Sequence, residues 1–343
     1  PLDLWNQPPF EPHIEDGKIF ARGANDDKGQ MSTHLKAFEA FMRSAGKLPV
    51  NAKVLIEGEE EIGSPHLLAF VEEHKELLKC DCAVISDTTM WGKGVPSLCY
   101  SLRGMQGIQV DVTGPNRDLH SGVYGGAVAN PANVICHLMA ALHDDKGRVT
   151  IPGFYDGVQP LQEWERESFA SLPFDEKAFQ EDLGVDALTG EEGYTTLERR
   201  WARPTLDING ISSGYQGPGA KTIIPSRAFA KVTMRLVPGQ DPDRIYENFK
   251  DYMNSECPPG VQLQFLRENG SPAVSLPTEG PVMEAAKSAM EACFGAKPFL
   301  IREGASVPVV GSFATALEVP CALLGFGLPD DNLHSPNEKF DLD

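Results

Sequence analysis

An α/β fold, with a mixed, mostly parallel sheet flanked by helices and a smaller α+β domain inserted into it, is predicted by three features of this 343-residue chain. Two apolar runs, at 54–56 and 83–85, flank a helical stretch at 65–78, which makes a β-α-β unit and hence a parallel sheet. Around Ser101-Leu102-Arg103-Gly104 the pattern changes: Ile108, Val110 and Val112 alternate with polar residues, as in a sheet with one wet face. Past Ser271-Pro272 the chain returns to a helix and a fully apolar strand, so the second pattern sits inside the first. The boundaries that follow are a first domain over 1–102 and 274–343, interrupted by a second over 103–273.

Element by element, Met31, Leu35, Phe38, Phe41 and Met42 lie at helical spacing and stop near Gly46, which predicts a helix over 29–45 directly after Asp26. In the inserted domain, Val134, Ile135, Leu138, Met139 and Leu142 predict a helix near 128–143, followed by a long irregular acidic insert between 150 and 227. A strand over 228–237 comes next, then a helix carrying Ile245, Phe249, Tyr252 and Met253, then a strand with Val261, Leu263 and Phe265. That β-α-β-α-β order resembles a split, ferredoxin-like layer. Val282, Met283, Ala286 and Met290, closed by Gly295, form the returning helix, and 321–324 the returning strand.

Composition narrows the function. A net charge of −19 argues against nucleic acid or an anionic membrane as partner and suits attraction of divalent cations. No apolar run approaches the roughly 20 residues that span a bilayer, and the chain opens on Pro1-Leu2-Asp3-Leu4 rather than on a basic, then apolar leader. Seven scattered cysteines match neither a disulfide framework nor a zinc-knuckle spacing, so a reducing cytoplasm is the expected home and the sequon Asn269-Gly270-Ser271 a chance match.

The densest chemistry is Glu59-Glu60-Glu61, between the apolar run at 54–56 and the turn Gly63-Ser64-Pro65. A strand ending in consecutive acids delivers a carboxylate to each side of the sheet's carboxyl edge, where open α/β sheets bind ligands. Alone, the triplet reads equally well as a solvated charge run. Asp26, Asp87 at the end of a second apolar run, and His334 tilt the reading toward a metal site. In the strand near 228–236, Ala228, Ala230, Val232, Met234 and Leu236 form one face, which leaves Arg235 on the polar face with Lys231 and Thr233.

Several stretches resemble one family: Arg22-Gly23-Ala24-Asn25-Asp26-Asp27-Lys28-Gly29, Glu57-Gly58-Glu59-Glu60-Glu61, Asp118-Leu119-His120-Ser121-Gly122, Gly219-Ala220-Lys221-Thr222-Ile223-Ile224-Pro225, Arg302-Glu303-Gly304 and His334-Ser335-Pro336-Asn337-Glu338. In this order they are similar to the di-zinc metallopeptidases and deacylases, which include aminoacylase, acetylornithine deacetylase and succinyl-diaminopimelate desuccinylase. The branch resembled most is that of carnosinase-type cytosolic dipeptidases.

The resemblance implies two zinc ions per subunit, with manganese or cobalt as substitutes. Asp26 would bridge them, Glu61 and His334 would complete one site, and Asp87 would serve the other. It further implies Glu60 as general base for a hydroxide bridging the metals, and His120 as an oxyanion donor reaching the partner subunit of a homodimer formed through the inserted lid. Arg235, with Thr222 nearby, would hold the carboxylate of a small peptide substrate, and Glu303, Gly304 and Ser306 would complete the substrate contacts. Asp27 is expected to support the turn behind the ligands, and His34, His66, His74, His137 and His143 to be structural or solvated.

Three departures stand out. The family's His-x-Asp strand, which should precede Asp26, has no counterpart here, and the closing helix after His334 is missing, as in a fragment. Glu268 occupies the place of a histidine that helps dipeptidases bind substrate. The expectation is therefore a zinc-dependent hydrolase of dipeptides or short peptides with a free carboxylate. The alternatives are a deacylase of N-acyl amino acids and a catalytically dead metal-binding subunit lacking the first ligand histidine.

Overall fold

The helix Gln30–Ala45 ends where the sequence puts a glycine: Gly46 takes the left-handed conformation at φ 69° and its N–H caps the Met42 carbonyl. The computed structural model describes residues 2–268 and 270–342, so Asn269 of the sequon lies outside the described residues. The chain forms two units, one of Pro1–Ser101, Ser275–Glu303 and Val307–Asp343, the other of Leu102–Val274 with Gly304–Ser306.

In the first unit, Ala83–Ile85 runs parallel to Cys321–Leu323, with Cys321 opposite Ala83. On its other side Cys321–Leu323 pairs antiparallel with Ser97–Leu102, to which Phe299–Glu303 also pairs. This sheet therefore mixes a parallel and an antiparallel pairing on the two sides of Cys321–Leu323. Residues 54–56, expected to supply a strand, join no sheet, and Val54 and Ile56 are 56% and 63% exposed. A strand exists through its ladder, and among the described residues none takes up these backbone groups. The expected helix over 65–78 divides into Leu67–Glu73 and Lys75–Leu78, broken at His74. Helix Pro281–Phe294 buries Met283, Ala286 and Met290 against Met90, Leu98 and Leu328. A hairpin, His13–Glu15 with Lys18–Phe20, is extended by Lys339–Asp341 on the far side of Lys18–Phe20.

The second unit is built on a four-stranded antiparallel sheet in the order Gln262–Arg267, Gly104–Thr113, Arg227–Leu236, Thr205–Ser213. Helices Pro131–Ala140 and Pro242–Glu256 fill its apolar face with Val134, Ile135, Leu138, Phe249 and Met253, packed on Ile108, Val110, Val232 and Met234. Each fully buried side chain of this size contributes about 1.5–3 kcal/mol. The insert is not irregular. It carries helices Glu163–Ser171, Glu176–Leu183 and Thr196–Ala202 and the strand Thr205–Ser213. Asp175 caps one helix by accepting from the Lys177 and Ala178 N–H groups, and Thr195 with Glu198 forms a capping box on another. Among the described residues no helix is long and apolar enough to cross a membrane.

Candidate metal centre

The first acid is set by a turn. Gly23, at φ 78°, opens the segment Ala24–Gly29, and a side chain at Gly29 would collide with the Ala24 carbonyl and the Phe340 ring. Within this segment the Asp26–Asp27 peptide is cis. The Asp26 N–H donates to Glu338 Oε1 at 3.0 Å, the Asn25 N–H to the same oxygen at 2.9 Å, and the Gly23 N–H to Glu338 Oε2 at 2.8 Å. Arg22 Nη1 donates to Oε2 at 2.8 Å, and Arg22 Nη2 to the Ser335 carbonyl at 2.9 Å.

The acidic triplet does not end a strand. It lies on a single 3-10 turn, Glu60–Ile62, closed by Gly63 at φ 83°, and the turn rather than a pleat sorts its carboxylates. Glu59 pairs with His66 Nδ1 at 2.9 Å, Glu60 is half-buried, and Glu61 Oε2 lies 3.2 Å from His334 Nε2. His334 is held at φ 56°, and its Nε2 also lies 3.0 Å from Asp26 Oδ2. Asp26, Glu61 and His334 each offer one ligand atom, all within 4.8 Å of one another. Asp87 is not one of these mutually close three.

The field around the three is strongly anionic. Burial and the neighbouring Asp27, Asp26, Glu60 and Glu303 push Asp87 up to about 8. Burial, Asp26 and Glu60 push Asp27 up to about 7. Burial and Glu61 raise Asp26, against the opposing pull of His334, and burial with Glu61 and Asp26 raises Glu60. Burial is the largest cause of each rise, and repulsion from neighbouring carboxylates adds to it. Asp27 Oδ1 is buried without a hydrogen-bond partner, as are both amide atoms of Asn25. Two carboxylates and an imidazole already converged, with further acids behind them, fit a divalent cation, and oxygen and imidazole donors together suit zinc.

Elsewhere in this unit, Glu303 accepts from the Thr89 N–H at 2.8 Å and the Thr89 hydroxyl at 3.1 Å, and burial pushes it up to about 7. His34 Nε2 meets Ser86 Oγ at 2.7 Å, and His74 packs its ring on Phe70.

In the second unit, His120 ends the short strand Leu119–His120, which pairs with Ile223–Ile224. Its Nδ1 accepts from the Gly122 N–H at 3.0 Å, and its Nε2 lies 3.4 Å from Thr222 Oγ1. An N–H donor at Nδ1 leaves the neutral ring's proton on Nε2, where it is available to an acceptor. Arg235 lies between the buried Met234 and Leu236 and donates to Ser306 Oγ at 3.1 Å. Arg103 donates to the Gly304 carbonyl at 3.1 Å and is pushed down to about 10 by burial and by Arg235. This corner is therefore short of negative charge.

Sequence reasoning assigned no role to the Glu338 carboxylate, to the burial of Asp27 or to Asn25. Glu338 stands in the same stretch as His334, but only the fold turns its side chain back onto residues 22–26.

The profile of peptidase family M20/M25/M40 matches residues 1–343. The Cys-Gly metallodipeptidase of Schizosaccharomyces pombe is 35% identical over 99% of this chain and 73% of that protein. Human Beta-Ala-His dipeptidase is 31% identical over 98% of this chain and 68% of its own length. Among solved structures, an M20 family metallo-carboxypeptidase from Sulfolobus solfataricus superposes with a TM-score of 0.89 at 32% identity, covering 100% of this chain and 78% of that one. Human carnosine dipeptidase 1 gives 0.80 at 30% identity, covering 98% and 73%.

Proposed function

The chain belongs to peptidase family M20/M25/M40 and is a hydrolase of peptide bonds, and from that premise we propose that it cleaves dipeptides or short peptides with a free carboxylate, using divalent cations held at Asp26, Glu61 and His334. The convergence of those three ligand atoms beside the half-buried Glu60 carries the reading. The dipeptidase relatives supply the substrate class. Zinc is the metal the donor set favours, manganese and cobalt being substitutes, and Asp26 and Asp87 would hold a second ion.

A bound divalent cation supplies positive charge that acidifies water and polarises a carbonyl. Glu60, raised by burial and its acidic neighbours and not one of the three converged ligands, takes the attacking water's proton and passes it to the leaving amine. His120 Nε2–H donates to the oxyanion across a homodimer formed through the inserted unit, which acts as a lid. Arg235, propped by Ser306, takes the substrate carboxylate in a bidentate fork. Seven unpaired cysteines support a reducing, cytoplasmic setting.

The deciding experiment offers the purified protein with added zinc a mixture of dipeptides and N-acyl amino acids, followed by mass spectrometry with a chelator control. Chelator-sensitive loss of dipeptides supports the proposal. Loss of acyl amino acids alone replaces it with a deacylase, and cation binding without turnover leaves a metal-binding subunit.

Arg235→Ala should raise KM for dipeptides by about 10- to 100-fold, the worth of a charge-assisted hydrogen bond. It should leave substrates with an amidated carboxyl end unchanged, and an equal effect on both would remove the carboxylate role. Mixing His120→Ala with Glu60→Ala subunits should regenerate activity in the heterodimer. Well-mixed dimers that stay inactive count against action across the interface.

A further inference from the structure

We infer that Glu338, braced by Arg22, is the positioning residue that fixes Asp26 opposite His334 and so sets the affinity of this cluster for a divalent cation. The inference rests on the proposed cation site.

The Glu338 carboxylate is completely buried, with 0% of the residue exposed. Its two oxygens are fully engaged. Oε1 accepts from the N–H groups of Asn25 and Asp26 at 2.9 and 3.0 Å, and Oε2 from the Gly23 N–H and Arg22 Nη1, both at 2.8 Å. Four donors occupy the roughly four lone-pair positions of a carboxylate. Glu338 therefore has nothing left to offer a cation or a proton in flight, and cannot be a ligand or a base.

What it does hold is the backbone on which Asp26 is mounted. Three turn positions, Gly23, Asn25 and Asp26, hang from one carboxylate, and the same Arg22 that neutralises it reaches the Ser335 carbonyl beside His334. The sequence distance between the two ligands is long, yet the path through this clamp is short: Asp26 N–H, Glu338, Arg22, Ser335, His334. A buried carboxylate without its guanidinium would be costly, so the Arg22 pair steadies the carboxylate on which the three backbone bonds depend.

Glutamine is a sharp probe. An amide has the shape of the carboxylate, but either orientation sets an NH2 group against two donors, the Asn25 and Asp26 N–H groups in one case, Gly23 N–H and Arg22 in the other. The turn must shift, and Asp26 with it. Support of this kind behind metal ligands is worth 10- to 100-fold in metal affinity.

The test titrates Zn2+ and Co2+ into metal-free wild type, Glu338→Gln and Arg22→Gln, each first shown to be folded by circular dichroism in chelator. The readouts are cation Kd by calorimetry and the Co2+ absorption spectrum. The inference expects Kd about 10- to 100-fold weaker in both variants, an altered Co2+ spectrum, and activity that returns at saturating cation. Folded variants with wild-type Kd and spectrum, whatever their melting temperature, overturn it. A wild-type chain that binds no divalent cation overturns the proposed site instead. If Glu338→Gln does not fold, Arg22→Gln alone decides, because it removes the brace and leaves the buried carboxylate its three backbone donors.

Discussion

Glu60→Gln should lower kcat for dipeptide hydrolysis by about 10²- to 10⁴-fold, the usual contribution of a general base, and leave cation content at the wild-type level. The two halves of that result come from the 3-10 turn Glu60–Ile62, which gives adjacent glutamates different surroundings: Glu61 meets His334, while Glu60 is half-buried and coupled to Asp26 and Glu61. Glutamine keeps the size and shape of the side chain and removes its negative charge and its capacity to take a proton. Glu61→Ala gives the opposite pattern, losing cation from a cluster that then has only Asp26 and His334. Kinetics paired with metal analysis of both variants distinguishes the roles. Equal cation loss in the two would dissolve the division between them.

The second large effect comes from removing the cation. Burial, and after it neighbouring carboxylates, raise the pKa of Asp26, Asp27, Glu60 and Asp87 in the metal-free chain, so the folded state binds protons that the unfolded state releases. An acid whose folded pKa lies above its unfolded value stabilises the fold less and less as pH rises between the two. In chelator, the melting temperature should therefore fall between about pH 4 and pH 8, the interval from an ordinary aspartate to the raised Asp87. Divalent cation takes over from the protons. At a free concentration near 1,000 times its Kd it adds about 4 kcal/mol of stability and offsets that decline. Thermal melts across pH, with chelator and with zinc, provide the check. A metal-free chain whose stability rises over this interval would show that the acids are not coupled in this way.

The parts legible in the sequence were those with a local signature. Alternation placed Ala228 to Leu236 and left Arg235 on the polar face, and the stripe of Ile245, Phe249 and Met253 gave the helix Pro242–Glu256. Strand Thr205–Ser213 escaped because a bulge between Ile208 and Gly210 breaks its period-2 pattern. Ser97–Leu102 escaped for another reason: all six residues are buried, so its serines do not mark a wet face. The run at 54–56 misled in the other direction, since β propensity without a neighbouring strand makes no ladder. At the site, Asp26, Glu61 and His334 were legible as residue types, whereas the clamp at Glu338 and the burial of Asp27 depend on long-range packing that no local pattern encodes.

The bond between the Asp26 N–H and Glu338 spans 312 positions, and the strand Lys339–Asp341 closes beside Lys18–Phe20. Bringing such distant points together costs about 5 kcal/mol in chain entropy before any contact repays it. On a ribosome, the turn bearing Asp26 is made 312 positions ahead of the carboxylate that clamps it. The nascent chain therefore carries an unfinished ligand loop until residue 338 has been added. Until then the turn that mounts Asp26 lacks the carboxylate that holds three of its backbone N–H groups.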